Sequence, residues 1–221
     1  MFKHILFVDY KGETTYMGTS DKSGKIPQSY KRIYNLSESY TALYRGLRTI
    51  GAMRQNRKTK EISKDFIERI MLAVTEVNGC PVCSYGHTKW ALEEGMSNEE
   101  INLLLAGSSE AIPSNQLVGV LFAQHYADSR GNPSHDSWQR VVDVYGLSKS
   151  LIILGATRAI MIGNIWGIAF SSFTGRLKGK SSGKTHIFYE VSIMLSIVPF
   201  LPVAIAHALV AKIIGLPVVQ G

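Results

Sequence analysis

Apolar residues recur at intervals of three and four along most of this chain, which is the spacing of one face of an α-helix. No stretch shows the strict alternation of apolar and polar residues that a half-buried β-strand requires. The pattern therefore predicts an all-α fold, a bundle of several helices. The first helical stretch follows Ser37, a suitable N-cap, and its apolar positions are Tyr40, Leu43, Tyr44, Leu47 and Ile50. Further helices are expected near residues 62–77, 80–95, 115–129, 135–145 and 149–173, and one more begins at the Ser97 capping box.

The composition suits a folded chain with one substantial core. Of 221 residues, 45% are hydrophobic and 19% are charged, which excludes a wholly disordered protein. We predict three segments: an irregular N-terminal arm over residues 1–35, a helical domain over 36–180 and an apolar C-terminal helical segment over 181–221. Within the domain, Arg54 to Lys60 is predicted to be a basic connector.

The C-terminal segment contains a long stretch without formal charge. Val191 to Ala211 has no Asp, Glu, Lys or Arg and exceeds the roughly 18 apolar residues at which a membrane helix becomes a candidate. A helix buried in a core or in an oligomer interface would have the same composition. Pro199 and Pro202 would bend the helix in either environment.

Charge is unevenly distributed. Residues 1–143 carry 17 Lys and Arg against 16 Asp and Glu, whereas residues 144–221 carry seven against one. The basic cluster Arg176 to Lys184 just before the apolar stretch predicts an anionic partner, and a cytoplasmic membrane surface fits it. A nucleic acid is not expected, because the basic residues flank an apolar run instead of alternating with aromatic residues. The N-terminus does not resemble a signal peptide, so a cytoplasmic location is expected.

The stretch with the clearest chemistry is Cys80-Pro-Val-Cys83. Two thiols three residues apart can form a disulfide or share a metal, and a helix that begins at this point would lower a thiol pKa. His87 lies four residues after Cys83, which places a base on the same helix face as a nucleophilic thiol. Redox or peroxidatic chemistry is the leading interpretation. A metal site using Cys80, Cys83 and His87 and a purely structural pair remain alternatives.

The stretch also resembles the alkylhydroperoxidase D-like branch of the carboxymuconolactone decarboxylase family. The family marker is a Glu twelve residues before a Cys-x-x-Cys, with a His four residues after the second Cys. Glu68, Cys80, Cys83 and His87 match all of these intervals, and the resemblance is clear over about residues 60–107. It implies an alkylhydroperoxidase D-like helical bundle that assembles as homo-trimers or homo-hexamers.

The resemblance also implies a thiol-dependent hydroperoxidase that needs neither a metal nor an organic cofactor. Cys83 would attack the hydroperoxide, and Cys80 would resolve the sulfenic acid as a disulfide. His87 would take the thiol proton and Glu68 would orient the His. A dithiol would supply the electrons. Lactone decarboxylation is less expected, because the Cys pair does not mark that branch.

Several alternatives stay open at this stage. The best-known members of the branch have a second His between the cysteines, where this chain has Val82. Glu76 rivals Glu68 for the acidic role, because it lies eight residues further along roughly the same helix face. The chain could also be a thiol–disulfide oxidoreductase without peroxidase activity, or a non-catalytic metal-binding protein that uses Cys80, Cys83 and His87.

Overall fold

The computed structural model describes residues 5–8, 14–17 and 31–219. Eight helices make up most of this part of the chain, which confirms the predicted helical class. The helices are α1 (Leu36–Leu47), α2 (Ile50–Thr59), α3 (Lys64–Asn78), α4 (Pro81–Glu93), α5 (Asn98–Leu105), α6 (Ser114–Asp128), α7 (His135–Leu177) and α8 (Ile187–Ile213). The division into an arm, a domain and a C-terminal segment stays a prediction.

A short β-hairpin precedes the helices. Strands β1 (Ile5–Val8) and β2 (Thr14–Met17) pair in antiparallel register, with Ile5 opposite Met17. These strands differ from the irregular structure expected over residues 1–35. Both are short runs of apolar, aromatic or β-branched residues, which favour extended backbone. The rest of the predicted arm up to residue 30 lies outside the described residues.

Two predictions near the start of the helical part were wrong. Helix α1 begins one residue before Ser37, because Asn35 is its N-cap and forms a capping box with Glu38. The predicted connector Arg54 to Lys60 lies largely in helix α2. Its polar sequence conceals a buried contact: the side chain of Asn56 bonds both the N–H and the C=O of Ile62, each at 2.9 Å.

Helix α7 is the long central element, and its middle part is buried among α1, α2, α3, α4, α6 and α8. The predicted helices at 135–145 and 149–173 join into this one element, which breaks at Gly146. Gly146 has φ 72° and ψ 160°, a backbone conformation that a residue with a Cβ rarely adopts.

Helix α8 packs along α1 and α7 and is fixed near both of its ends. At the first turn, Arg176 donates to both carboxylate oxygens of Glu190 at 2.8 and 3.0 Å, and Glu190 is fully buried. Beyond the last turn, Arg48 donates to the carbonyl oxygens of Leu216 and Pro217 at 2.5 and 2.8 Å. The described helix therefore lies on the surface of the bundle.

The outward face of α8 is apolar and exposed. Phe188 and Ile213, near its two ends, are 82% and 83% exposed. In the described residues, α7 and α8 are both long and apolar enough to cross a membrane by length and composition. The apolar part of α7 is 67% buried within the protein, which is typical of a core helix, but only 17% of that of α8 is buried.

Candidate functional site

The two cysteines lie at the junction of α3 and α4. Helix α3 ends at Asn78, Gly79 takes the left-handed conformation with φ 72°, and Cys80 is the N-cap of α4. Pro81 occupies the first helical position, where its missing N–H costs nothing. This local sequence turns the chain sharply and places both sulfurs at a helix N-terminus.

Cys80 and Cys83 are joined as a disulfide, and their Cα atoms are 5.4 Å apart. Their environments differ. Cys80 is only 1% exposed, whereas Cys83 is partly exposed. The backbone N–H of Cys83 donates to Cys80 Sγ at 3.4 Å, so this sulfur occupies the acceptor position of the N-cap. A solute from the solvent can therefore reach Cys83 more readily than Cys80.

His87 and Glu68 form a hydrogen-bonded pair between α4 and α3. His87 Nδ1 lies 2.7 Å from Glu68 Oε2, and the two side chains are only 13% and 14% exposed. A carboxylate accepts hydrogen bonds, so Nδ1 is placed as the donor, and in a neutral imidazole this tautomer leaves a lone pair on Nε2. The hydrogen bond fixes the orientation of the His87 ring. The ring of Trp90 packs edge-on against His87, with centroids 5.0 Å apart.

Glu76, the rival for the acidic role, is engaged elsewhere. Its carboxylate forms an ion pair with Lys31 and is 15% exposed. Of the two glutamates, only Glu68 contacts His87 among the described residues. The packing of α3 against α4 places Glu68, and not Glu76, beside His87. The helical period alone could not distinguish these two glutamates.

Gly167 on helix α7 allows this helix to approach the disulfide. A Cβ atom at this position would lie 2.8 Å from Cys80 Sγ, 2.9 Å from Cys83 Sγ and 3.0 Å from Val82 Cγ1. Gly167 was not among the residues predicted to form the site. The residue is 84 positions from Cys83 and stands in an ordinary helical stretch, so no local signal marks it.

Asn78, the residue before the Gly79 turn, is held by three sets of hydrogen bonds. The Tyr34 hydroxyl donates to Asn78 Oδ1 at 2.5 Å, and Asn78 Nδ2 donates to Met161 Sδ at 3.2 Å. The carbonyl oxygen of Asn78 accepts from the N–H groups of Lys31 and Arg32, both at 3.2 Å. Asn78 is completely buried, so the backbone leading into Cys80 is fixed by the core.

A second network fixes helix α3 beside Glu68. Arg69 donates to Glu100 at 2.5 and 2.8 Å and to Gln116 at 3.0 Å, and it pairs with Asp65. Burial alone would raise the pKa of Asp65, but hydrogen bonds from Ser63, Gln116 and Arg69 lower it to about 2. The network connects α3 to α5 and α6.

The metal-binding alternative finds no ligand set in residues 31–219. No group of three or more His, Cys, Asp and Glu side chains there is arranged to hold a metal ion. The two cysteines, which this alternative needs as thiolate ligands, are joined as a disulfide.

The fold and the site together define a helical protein with a Cys-x-x-Cys pair at a helix N-terminus and a Glu–His pair one turn away. Residues 46–118 match the sequence model of the carboxymuconolactone decarboxylase family. The match includes all four predicted site residues, Glu68, Cys80, Cys83 and His87, and confirms the predicted resemblance. No curated protein and no solved structure matches the chain significantly.

Proposed function

We propose that this protein is a thiol-dependent hydroperoxidase of the alkylhydroperoxidase D type. The observation that carries the proposal is the 2.7 Å hydrogen bond between Glu68 and His87, which orients a base four residues after a partly exposed cysteine. A paired cysteine serving only as a structural staple needs no such base. Because the family also contains decarboxylases, the family match alone does not select this reaction.

The proposed reaction begins with reduced cysteines. His87 Nε2 takes the proton of Cys83, and the thiolate attacks the terminal oxygen of the hydroperoxide. The O–O bond breaks, Cys83 becomes a sulfenic acid, and the leaving alkoxide takes the proton back from His87 as an alcohol. The Cys80 thiol then attacks the Cys83 sulfur, which forms the disulfide and releases water. A dithiol donor returns two electrons and two protons by thiol–disulfide exchange.

The unequal exposure of the two cysteines supports these roles. Cys83 is the partly exposed member of the pair, so we assign to it the reaction with a hydroperoxide from the solvent. Cys80 is almost completely buried, but it needs to react only with Cys83, which lies within bonding distance.

A second candidate is a thiol–disulfide oxidoreductase that acts on a disulfide instead of a peroxide. The apolar side chain of Val82 favours it, because Val82 stands between the cysteines, is 42% exposed and offers no second proton carrier. In this case Cys83 would attack a substrate disulfide and Cys80 would release the mixed disulfide.

The test measures thiol loss in the pre-reduced protein after one equivalent of cumene hydroperoxide, and separately after one equivalent of oxidised glutathione. Rapid loss of two thiols per chain with cumene hydroperoxide supports the peroxidase. His87→Gln should slow this loss by about a hundredfold, the lower range for a general base. His125→Gln is the matched control, because His125 is an exposed histidine on α6, and it should leave the rate within twofold.

Other outcomes of this test distinguish the two candidate functions or contradict them. Rapid thiol loss with oxidised glutathione but not with the peroxide selects the oxidoreductase. Equal rates for wild type and His87→Gln with cumene hydroperoxide contradict the proposed peroxidase relay, and loss of no thiols with either oxidant contradicts both candidates. Cys83→Ser should abolish peroxide consumption, whereas Cys80→Ser should allow one turnover and then stop. The dithiol donor, the trimeric or hexameric assembly and the cytoplasmic location stay predictions.

A further inference from the structure

A pocket lies between α1, α6 and α7, on a part of α7 that precedes Gly167. It encloses about 300 Å³, which is at the small end of the range for ligand sites. Its lining includes the apolar side chains of Ala42, Met161 and Ile165. Arg45, Arg130 and Arg158 also line it, together with several hydroxyl groups and the carboxylate of Glu38.

Arg158 is the most constrained charge in this pocket, since it is only 3% exposed. It donates to the Tyr126 hydroxyl at 3.0 Å and to the carbonyl oxygens of Arg45 and Val218 at 3.1 and 2.9 Å. Within residues 31–219 it forms no ion pair with a carboxylate. Burial lowers the pKa of Arg158, the hydrogen-bonded Tyr126 offsets part of this shift, and nearby Arg45 and Arg48 add to the lowering.

Arg45, too, forms no ion pair with a carboxylate within residues 31–219. Its guanidinium donates to the carbonyl oxygen of Gly131 at 2.7 Å and to Asn132 Oδ1 at 3.0 Å, both uncharged acceptors. The third guanidinium is different, because Arg130 forms an ion pair with Glu38 at 2.6 Å. The described pocket therefore keeps two guanidinium charges that no carboxylate neutralises.

A buried charge without a counter-ion is costly, and neutral carbonyl groups offset only part of the cost. An arginine side chain presents several N–H groups in a planar fork that fits the oxygens of a carboxylate or a phosphate. The apolar residues of the lining suit a short hydrocarbon portion. The pocket thus combines a place for an oxyanion with a place for an apolar group.

We propose that this pocket binds a small organic oxyanion, a carboxylate or a phosphate ester with a short apolar group. The oxyanion lies between Arg45 and Arg158, and the hydrocarbon lies against Ala42, Met161 and Ile165. This site is separate from the cysteine pair, and the proposal does not depend on the proposed peroxidase reaction.

The experiment is isothermal titration of the full chain with hexanoate, with hexyl phosphate and with neutral hexanol. Saturable binding of at least one anion tighter than about 1 mM, with hexanol at least tenfold weaker, is the expected result. Hexanoate alone, hexyl phosphate alone or both would identify the oxyanion that the site accepts. Binding of neither anion, or equal binding of hexanol, overturns the proposal.

Variants connect the binding to the two guanidinium groups. Arg45→Gln should weaken anion binding about tenfold or more, because a charge-assisted hydrogen bond is lost. Arg57→Gln removes the same charge from an exposed position on α2 and should change the affinity less than twofold. Arg158→Lys keeps the charge but not the fork, and it should weaken binding even where Arg158→Gln fails to fold. Wild-type affinity in the folded Arg45→Gln protein overturns the proposal.

Discussion

Replacing Gly167 by Ala tests how closely helix α7 approaches the disulfide. The added Cβ would lie 2.8 and 2.9 Å from the two cysteine sulfurs. Ordinary contact begins near 3.5 Å, so the helix or the sulfurs must move by about 0.7 Å. Such overpacking of a filled core costs ~1–3 kcal/mol.

Gly163, one turn earlier on the same helix, supplies a matched control. It is exposed, and a Cβ there would meet only Ile160 Cδ1, at an ordinary 3.7 Å. Gly163→Ala should therefore stabilise the protein by ~0.5–1 kcal/mol through helix propensity alone. Gly167→Ala has the same propensity gain, so the difference between the two variants isolates the clash, expected to be ~1–3 kcal/mol.

The redox state of the cysteines should change this difference. Once the disulfide is reduced, the partly exposed Cys83 side chain can rotate away from α7, whereas the buried Cys80 sulfur stays near Gly167. The clash in Gly167→Ala should then decrease. Urea unfolding of both variants, oxidised and with a non-thiol reductant, measures the four free energies of unfolding. Equal stabilities of the two variants in the oxidised state would refute the predicted contact, and an unchanged difference after reduction would refute the rotation of Cys83.

The remaining predictions address the relay, the α3 network and helix α8. Glu68→Gln should slow thiol oxidation by about a hundredfold and change the pH profile of the rate. The reason is that the Gln amide can donate to His87 Nδ1 and leave His87 Nε2 protonated. An unchanged profile would exclude a positioning role for Glu68. Asp65, whose pKa is about 2 in the folded protein, stabilises the fold fully above its ordinary value of 3.8, and this contribution should be lost as the pH falls from about 4 to about 2. The difference in unfolding free energy between wild type and Asp65→Asn should accordingly decrease over that range and not above it. Replacing both Phe188 and Ile213 by Ser should change the free energy of unfolding by less than ~0.5 kcal/mol. The same change should weaken self-association in sedimentation or binding to anionic vesicles. A monomeric wild type that binds no vesicles would contradict an interaction through the exposed face of α8.

Local signals predicted the elements around the cysteines well. Gly79 and Pro81 restrict the backbone through their own covalent structure, so a helix stop followed by a helix start could be predicted without tertiary information. The Ser97 cap is another local contact, with its side chain accepting from the N–H of Glu100 at 3.1 Å. The sequence also identified Glu68 and His87, which the structure places in contact.

The features that were missed depend on residues distant in sequence. Helix α2 is polar and basic, and the buried Asn56 that closes the turn after it resembles a surface residue in the sequence. Glu68 and Glu76 could be separated only when Lys31 and helix α4 were placed around α3. Gly167 has a role because two helices approach closely there, and a helical period carries no information on such a distance.

The fixed position of Asn78 means that the two sulfurs are mechanically unequal. Three sets of contacts hold the backbone just before Cys80, whereas Cys83 is partly exposed and lies in the first turn of α4. When the disulfide opens, we expect most of the displacement at Cys83. The Cys80 sulfur then stays in place and the Cys83 sulfur moves. An incoming thiol would meet Cys83 first, so a donor trapped as a mixed disulfide should be found on Cys83. The core would then pass through oxidation and reduction of the pair without rearrangement.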